Sequence, residues 1–156
     1  MTLTDLLQAE NIVVRLRARD RWGALDEIVD HLEAKRVLTA AQAGQARDRL
    51  LERERALSTA FEHGVAVPHA ALDGLTEAIA CMAIAPEGVD FAAPDGEVVR
   101  VVLCLLSPKS RRMLHTRTLA DAAVLLSRAE LRAEFCRARN VDDVLAALRR
   151  AESACA

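Results

Sequence analysis

Residues 98–106 form an apolar run broken only by Arg100, and Pro108 closes it. A strand of that kind presents no wet face. It needs cover on both sides, which means helices packed against both faces of a sheet. The rest of the chain supplies them. Behind Asp20, a natural N-cap, residues 21–36 carry Trp22, Leu25, Ile28, Val29 and Leu32 at helical spacing. Thr39 opens a second helix, residues 39–57, rich in Ala, Gln, Arg and Leu. Three more follow the central run, at residues 111–127, 130–138 and 141–151, the last capped by Asn140. In the first of these, Leu114, Thr118, Ala122, Leu125 and Leu126 define the buried stripe. Residues 4–8 suit one helical turn. Residues 12–17 alternate as a strand, and residues 65–67 and 76–85 add two more. Pro86-Glu87-Gly88 and Pro94-Asp95-Gly96 read as turns. The order β-α-α-β-β-β-α-α-α predicts one α/β domain, residues 1–156, built around a mainly buried sheet.

Composition narrows the function. Apolar residues make up 52% of the 156 but aromatics only 3%, so Leu, Val, Ala and Ile must build the core. A net charge of -2 gives no reason to expect a nucleic acid or an anionic membrane as partner. Positive charge is almost all arginine, Lys35 and Lys109 being the only lysines, which reads as genome composition. No apolar run reaches membrane-spanning length, and Asp5 and Glu10 argue against a signal peptide. Cys81, Cys104, Cys136 and Cys155 lack metal-binding spacing and read as unlinked thiols in a reducing cytosol. A soluble, cytoplasmic protein is expected.

One segment carries chemistry: Gly64-Val65-Ala66-Val67-Pro68-His69-Ala70. Val65 and Val67 favour extended backbone, and Pro68 cannot donate to a ladder, so the strand is expected to stop there. His69 then sits on a rigid turn at a strand end, with Ala70 leaving room around the ring. A neutral imidazole held in that way is a competent nucleophile. His115 lies early in a helix, where unpaired N–H groups and the dipole attract phosphate and favour a neutral ring. Arg53, near the end of the second helix, offers a guanidinium fork for two phosphoryl oxygens. Ser58 and Thr59 supply hydroxyls or terminate that helix. Taken singly, His69 and His115 also read as structural or surface histidines, and Arg53 as a solvated arginine among Arg47, Arg49 and Arg55. A metal site on His63, His69 and His115 lacks a carboxylate or cysteine at ligand spacing.

Together these pieces resemble the enzyme IIA domains of the fructose- and mannitol-type bacterial sugar phosphotransferase system, and their nitrogen-regulatory relatives. The matching segments are Arg53-Glu54, Leu57-Ser58-Thr59, Gly64-Val65-Ala66-Val67-Pro68-His69 and His115-Thr116-Arg117-Thr118-Leu119-Ala120. Order and spacing agree over essentially the whole chain. The resemblance implies a compact fold with a mixed sheet flanked by helices. It implies that His69 accepts a phosphoryl group from the phosphohistidine of an HPr-like carrier, with Arg53 and His115 steadying the oxygens. Ser58 and Thr59, in its Ser/Thr-Thr-Gly-rich turn, are the substrate-binding candidates, and the transfer it implies needs no metal or organic cofactor. The chain departs from the pattern at Ala60 and Glu62, where the family has glycines. These substitutions restrict backbone where a positive φ is expected, and Glu62 brings a negative charge. Phosphoryl chemistry is expected to survive them. Since no IIB, HPr or membrane domain is joined to the sequence, it reads as a regulator acting on target proteins. A free-standing subunit feeding a sugar-permease IIB, or a transfer-inactive binding homologue, is the alternative.

Overall fold

The computed structural model describes residues 2–155, leaving the side chains of residues 112–115 and 155 outside that description. Helix α1 (Leu3–Leu6) precedes a two-residue strand β1 (Ile12–Val13), then α2 (Arg21–Ala34) and α3 (Ala40–Ala56). Strands β2 (Val65–Ala66), β3 (His69–Leu72), β4 (Ile79–Val89) and β5 (Val99–Pro108) follow. The chain closes with α4 (Arg112–Leu126), α5 (Ala129–Arg137) and α6 (Val141–Cys155). The helix starts fall where the capping residues place them. Asp20 accepts from the Gly23 N–H at 2.8 Å, Thr39 and Gln42 form a reciprocal capping box, and Asn140 accepts from the Asp143 N–H at 2.9 Å.

β5 is the axis of the sheet. It pairs antiparallel with β4 and parallel with β2 and β3, while β1 joins β4 parallel on the far side. The sheet is therefore mixed. Every residue of β5 is buried except Arg100, as its apolar run requires. One face packs on α2 and α3 through Leu25, Ile28, Leu32, Leu50, Val102 and Leu106. The other packs on α4, α5 and α6 through Val101, Leu103, Leu126, Phe135 and Leu148.

Three elements differ from the sequence expectation. The first strand is shorter than residues 12–17, because Glu27 takes over its last donors. That carboxylate accepts the N–H groups of Arg17 and Ala18 at 2.9–3.1 Å. Pro86-Glu87-Gly88 is not a turn. It lies within β4 as a register irregularity between Ile84 and Val89, with the Arg100 guanidinium donating to the Pro86 carbonyl. The strand before His69 does stop short of Pro68, but His69 is not on a turn. Pairing with β5 resumes as β3, with His69 opposite Leu105.

Cys81 and Cys104 face each other across β4 and β5 as free thiols. Burial pushes the Cys81 thiol up to about 12, and Cys104 well above its ordinary value. Native protein treated with iodoacetamide at pH 8 should therefore leave both unmodified, while half-buried Cys136 reacts slowly. All three should react in denaturant. Mass mapping of the adducts checks this, and rapid native labelling of Cys81 or Cys104 would contradict the packing.

Candidate functional site

Proline interrupts the edge strand without displacing it. Val65 and Ala66 pair with Val101 and Val102, and His69 and Ala70 pair with Leu105 and Leu106, the same offset on either side of Pro68. Pro68 lacks an N–H, but its carbonyl still accepts from Leu105 at 3.0 Å. An edge strand tolerates this. Side-chain alternation then puts His69 on the same face as Val65 and Val67, the face covered by α4, α5 and α6.

The ring is held at one nitrogen. Nδ1 of His69 lies 2.9 Å from the Val67 carbonyl oxygen. A carbonyl only accepts, so Nδ1 carries the proton and Nε2 keeps the lone pair. The imidazole is partly exposed and borders an open cavity of about 510 Å³. Arg49, Glu52 and Arg53 reach the cavity from α3, Ser107 and Lys109 from the end of β5 and the turn after it, and Thr116 and Leu119 from α4, so three cations there face one acid. Arg53 uses Nη1 to donate to the Leu57 carbonyl at 2.8 Å, which fixes the guanidinium at the end of its helix.

Arg49 and Lys109 had no sequence motif to mark them. Asp73 holds both: its carboxylate lies 2.7 Å from Lys109 Nζ and 3.2 Å from Arg49 Nη2. The hydrogen bond from Lys109, with the charge of Arg49 beside it, keeps the Asp73 carboxyl below its ordinary pKa. The clamp is therefore formed at neutral pH and is released only on acidification. In an arginine-dominated chain, a lysine directly after the proline that closes the central strand was the available signal.

Ser58 and Thr59 are not brought to the cavity. Both turn to Glu54, which is buried at 1% exposure. Thr59 donates to that carboxylate through its N–H at 2.9 Å and its hydroxyl at 2.8 Å. Ser58 donates to the Phe91 carbonyl at 2.7 Å, with a longer contact to Glu54. Arg21 completes the surroundings of Glu54 at 3.7 Å. His115 falls on the first turn of α4, and its side chain lies outside the described residues.

The substituted turn also differs from expectation. Positive φ occurs at His63 and Gly64, not at Ala60 or Glu62. Ala60 instead bridges Ala66, with the Phe61 N–H donating to the Val65 carbonyl at 2.7 Å, so residues 59–61 cover the outer edge of β2. Glu62 points to solvent and does not border the His69 cavity. His63 likewise lies outside it, its N–H bound to Asp95 at 2.9 Å.

A mixed sheet between two helical layers, with an edge-strand histidine facing a cationic cavity, defines a class that the comparisons identify. The sequence model for "Phosphoenolpyruvate-dependent sugar phosphotransferase system, EIIA 2" matches residues 5–151. The chain belongs to this family. It is 31% identical over 149 residues to a nitrogen regulatory protein of Bradyrhizobium diazoefficiens, covering 95% of each chain. It is 35% identical to the nitrogen regulatory protein of Pseudomonas aeruginosa, covering 83% of each. A fructose-specific EIIABC component of Bacillus subtilis is 26% identical over 93% of this chain, which spans 22% of that protein's length. Among solved structures, the nitrogen regulatory protein IIA-Ntr of Neisseria meningitidis superposes with a TM-score of 0.82 at 26% identity, covering 94% of this chain and 98% of that one.

Glu54→Ala removes the acceptor for two Thr59 donors and for Arg21 inside the protein. The expected cost is about 3 kcal/mol of stability. Urea unfolding measures it, and a change below about 0.5 kcal/mol would show that these groups find water instead.

Proposed function

We propose that His69 is a phosphoacceptor, charged by the phosphohistidine of an HPr-like carrier and discharged to a partner. The observation that carries this reading is the ring itself, protonated at Nδ1 by its bond to Val67, with Nε2 left as the nucleophile beside a cationic cavity. In the transfer, the Nε2 lone pair forms the new N–P bond as the P–N bond to the donor histidine breaks. The donor ring leaves with that electron pair. Val67 keeps the Nδ1 proton on His69 throughout, so the phosphorylated ring is in turn a good leaving group. Phosphoryl transfer spreads charge over equatorial oxygens, and catalysis is mainly positioning and electrostatics. Arg53 supplies a fork for those oxygens, with Lys109 and Arg49 adding positive charge. The family motif assigns His115 the same stabilising role, and α4 reaches the cavity at the next residue, Thr116. Ser58 and Thr59 act through the backbone they fix.

Incubation with enzyme I, HPr and phosphoenolpyruvate should add one phosphoryl group, at Nε2 of His69. His69→Ala should remain unlabelled, and heteronuclear NMR distinguishes the ring nitrogens. Labelling that persists in His69→Ala would refute the assignment. Lys109→Ala should slow labelling about tenfold, equivalent to about 1.4 kcal/mol of barrier, with the acceptor unchanged.

Nitrogen-regulatory relatives, one of them 31% identical over 95% of both chains, favour a regulator, whose phosphorylation state selects target proteins. Phosphorylation adds a charge of about −1.5 to −2, enough to reverse the character of a docking face. The fructose-specific relatives favour a second reading, transfer onward to a sugar-permease IIB. Labelled protein mixed with a fructose-type IIB separates the two: loss of label to IIB supports transport, and retention supports regulation. Cytoplasmic residence accords with either role, and no helix among the described residues is long and apolar enough to cross a membrane.

A further inference from the structure

A second cavity lies apart from the one at His69. It measures about 700 Å³ and shares no lining residue with the first. It lies at the opposite end of β5, beside Val98 and Arg100, whereas His69 pairs with Leu105. Five residues of strand separate Arg100 from Leu105, about 16 Å.

We propose that this cavity is a second ligand site, taking a small organic anion bearing carboxylate or phosphate groups through Arg100, Arg132 and Arg137. Arg132 and Arg137 project from one face of α5, with Ala129, Ala133 and Cys136 on the same stripe, opposite the buried Leu131 and Phe135. Spacing of three and four residues sets that face. Arg100 approaches from the sheet. None of the three guanidiniums forms an ion pair with a carboxylate among the described residues. Arg100 and Arg132 each use one nitrogen on a backbone carbonyl, of Pro86 and Leu126. Glu134, between Arg132 and Arg137 on α5, pairs with Arg150 at 2.6 Å.

The remaining walls limit what fits. Asp95 is committed to the loop, accepting the N–H groups of His63 and Glu97 at 2.9 and 3.0 Å. Three guanidiniums against Asp95 and Glu97 leave a positive excess on the α5 side. Partial burial of Arg132 lowers its pKa, so an anion there meets a cation already stripped of some water. Val98 and Ala133 provide apolar surface for a carbon skeleton, and the volume falls in the range of small-molecule sites. The sequence carries the α5 stripe, but only the fold brings Arg100 to it.

The test titrates the full chain with citrate and with inorganic pyrophosphate at constant ionic strength, followed by amide NMR. The expected result is saturable binding of at least one probe, with shifts at Gly64, Arg100 and along α5. Arg132→Gln/Arg137→Gln should weaken that binding at least tenfold, and so should Arg100→Gln separately. Arg53→Gln should leave it unchanged. An unaltered amide spectrum away from the cavity certifies that the variants are folded. No saturable binding of either probe, equal shifts from sodium chloride, or binding lost in Arg53→Gln and kept in the double variant would each overturn the proposal. Phosphorylation of His69 plays no part in the measurement, so its failure leaves this result standing.

Discussion

The fold depends on β5 finding a partner on each edge while both of its faces stay dry. Its ten residues expose only Arg100, so any displacement of a neighbouring strand would strand apolar groups or unpaired amides in the interior. On one edge the long β4 satisfies it. On the other, the partner is assembled from two short strands either side of a proline. Constant register across Pro68 gives that edge its continuity, and it sets which face His69 presents. A slip of one residue would turn the ring to the α2 and α3 side, away from α4.

Charge around His69 is arranged as a balanced set and not as a bare cationic patch. Arg49 and Lys109 border the same cavity as His69 and Arg53, yet both already contact Asp73. Gln45 braces Asp73 in turn, accepting its N–H at 2.7 Å and donating to its carboxylate at 3.2 Å. An empty cavity with two unopposed cations would attract any anion. With Asp73 as internal counter-ion, both are held at the cavity wall.

Helices and their caps were legible because spacing and capping residues agreed, as at Asp20, Thr39 and Asn140. β5 was legible from a single apolar run. The family was legible from Arg53, His69 and His115 in order. What was hidden depends on contacts distant in sequence. Glu27 removing donors from the first strand, Arg100 bracing Pro86 inside β4, and Asp73 gathering Arg49 and Lys109 leave no local periodicity. Pro68 misled for a related reason: its missing N–H is a local fact, whereas its position on an edge is a property of the assembled sheet. Ser58 and Thr59 were placed at the phosphate because hydroxyls suit it, but a buried carboxylate four and five residues back claims them first.

That claim links the adjacent pair Arg53-Glu54 to the histidine. Consecutive residues near the end of α3 face opposite ways: Arg53 toward the open cavity, Glu54 into the protein. Glu54 fixes Thr59 through its N–H and hydroxyl; the Thr59 carbonyl accepts the Val67 N–H at 3.0 Å; the Val67 carbonyl holds Nδ1 of His69 at 2.9 Å. A buried carboxylate is thus three hydrogen-bonded steps from the Nδ1 side of the His69 ring, with no direct contact to it. This also explains why Ala60 and Glu62 are accommodated. The turn is anchored at Thr59 and Phe61, positive φ falls at His63 and Gly64, and neither Ala60 nor Glu62 needs a left-handed backbone. Glycine at those two positions would add freedom to a segment whose two ends are already fixed.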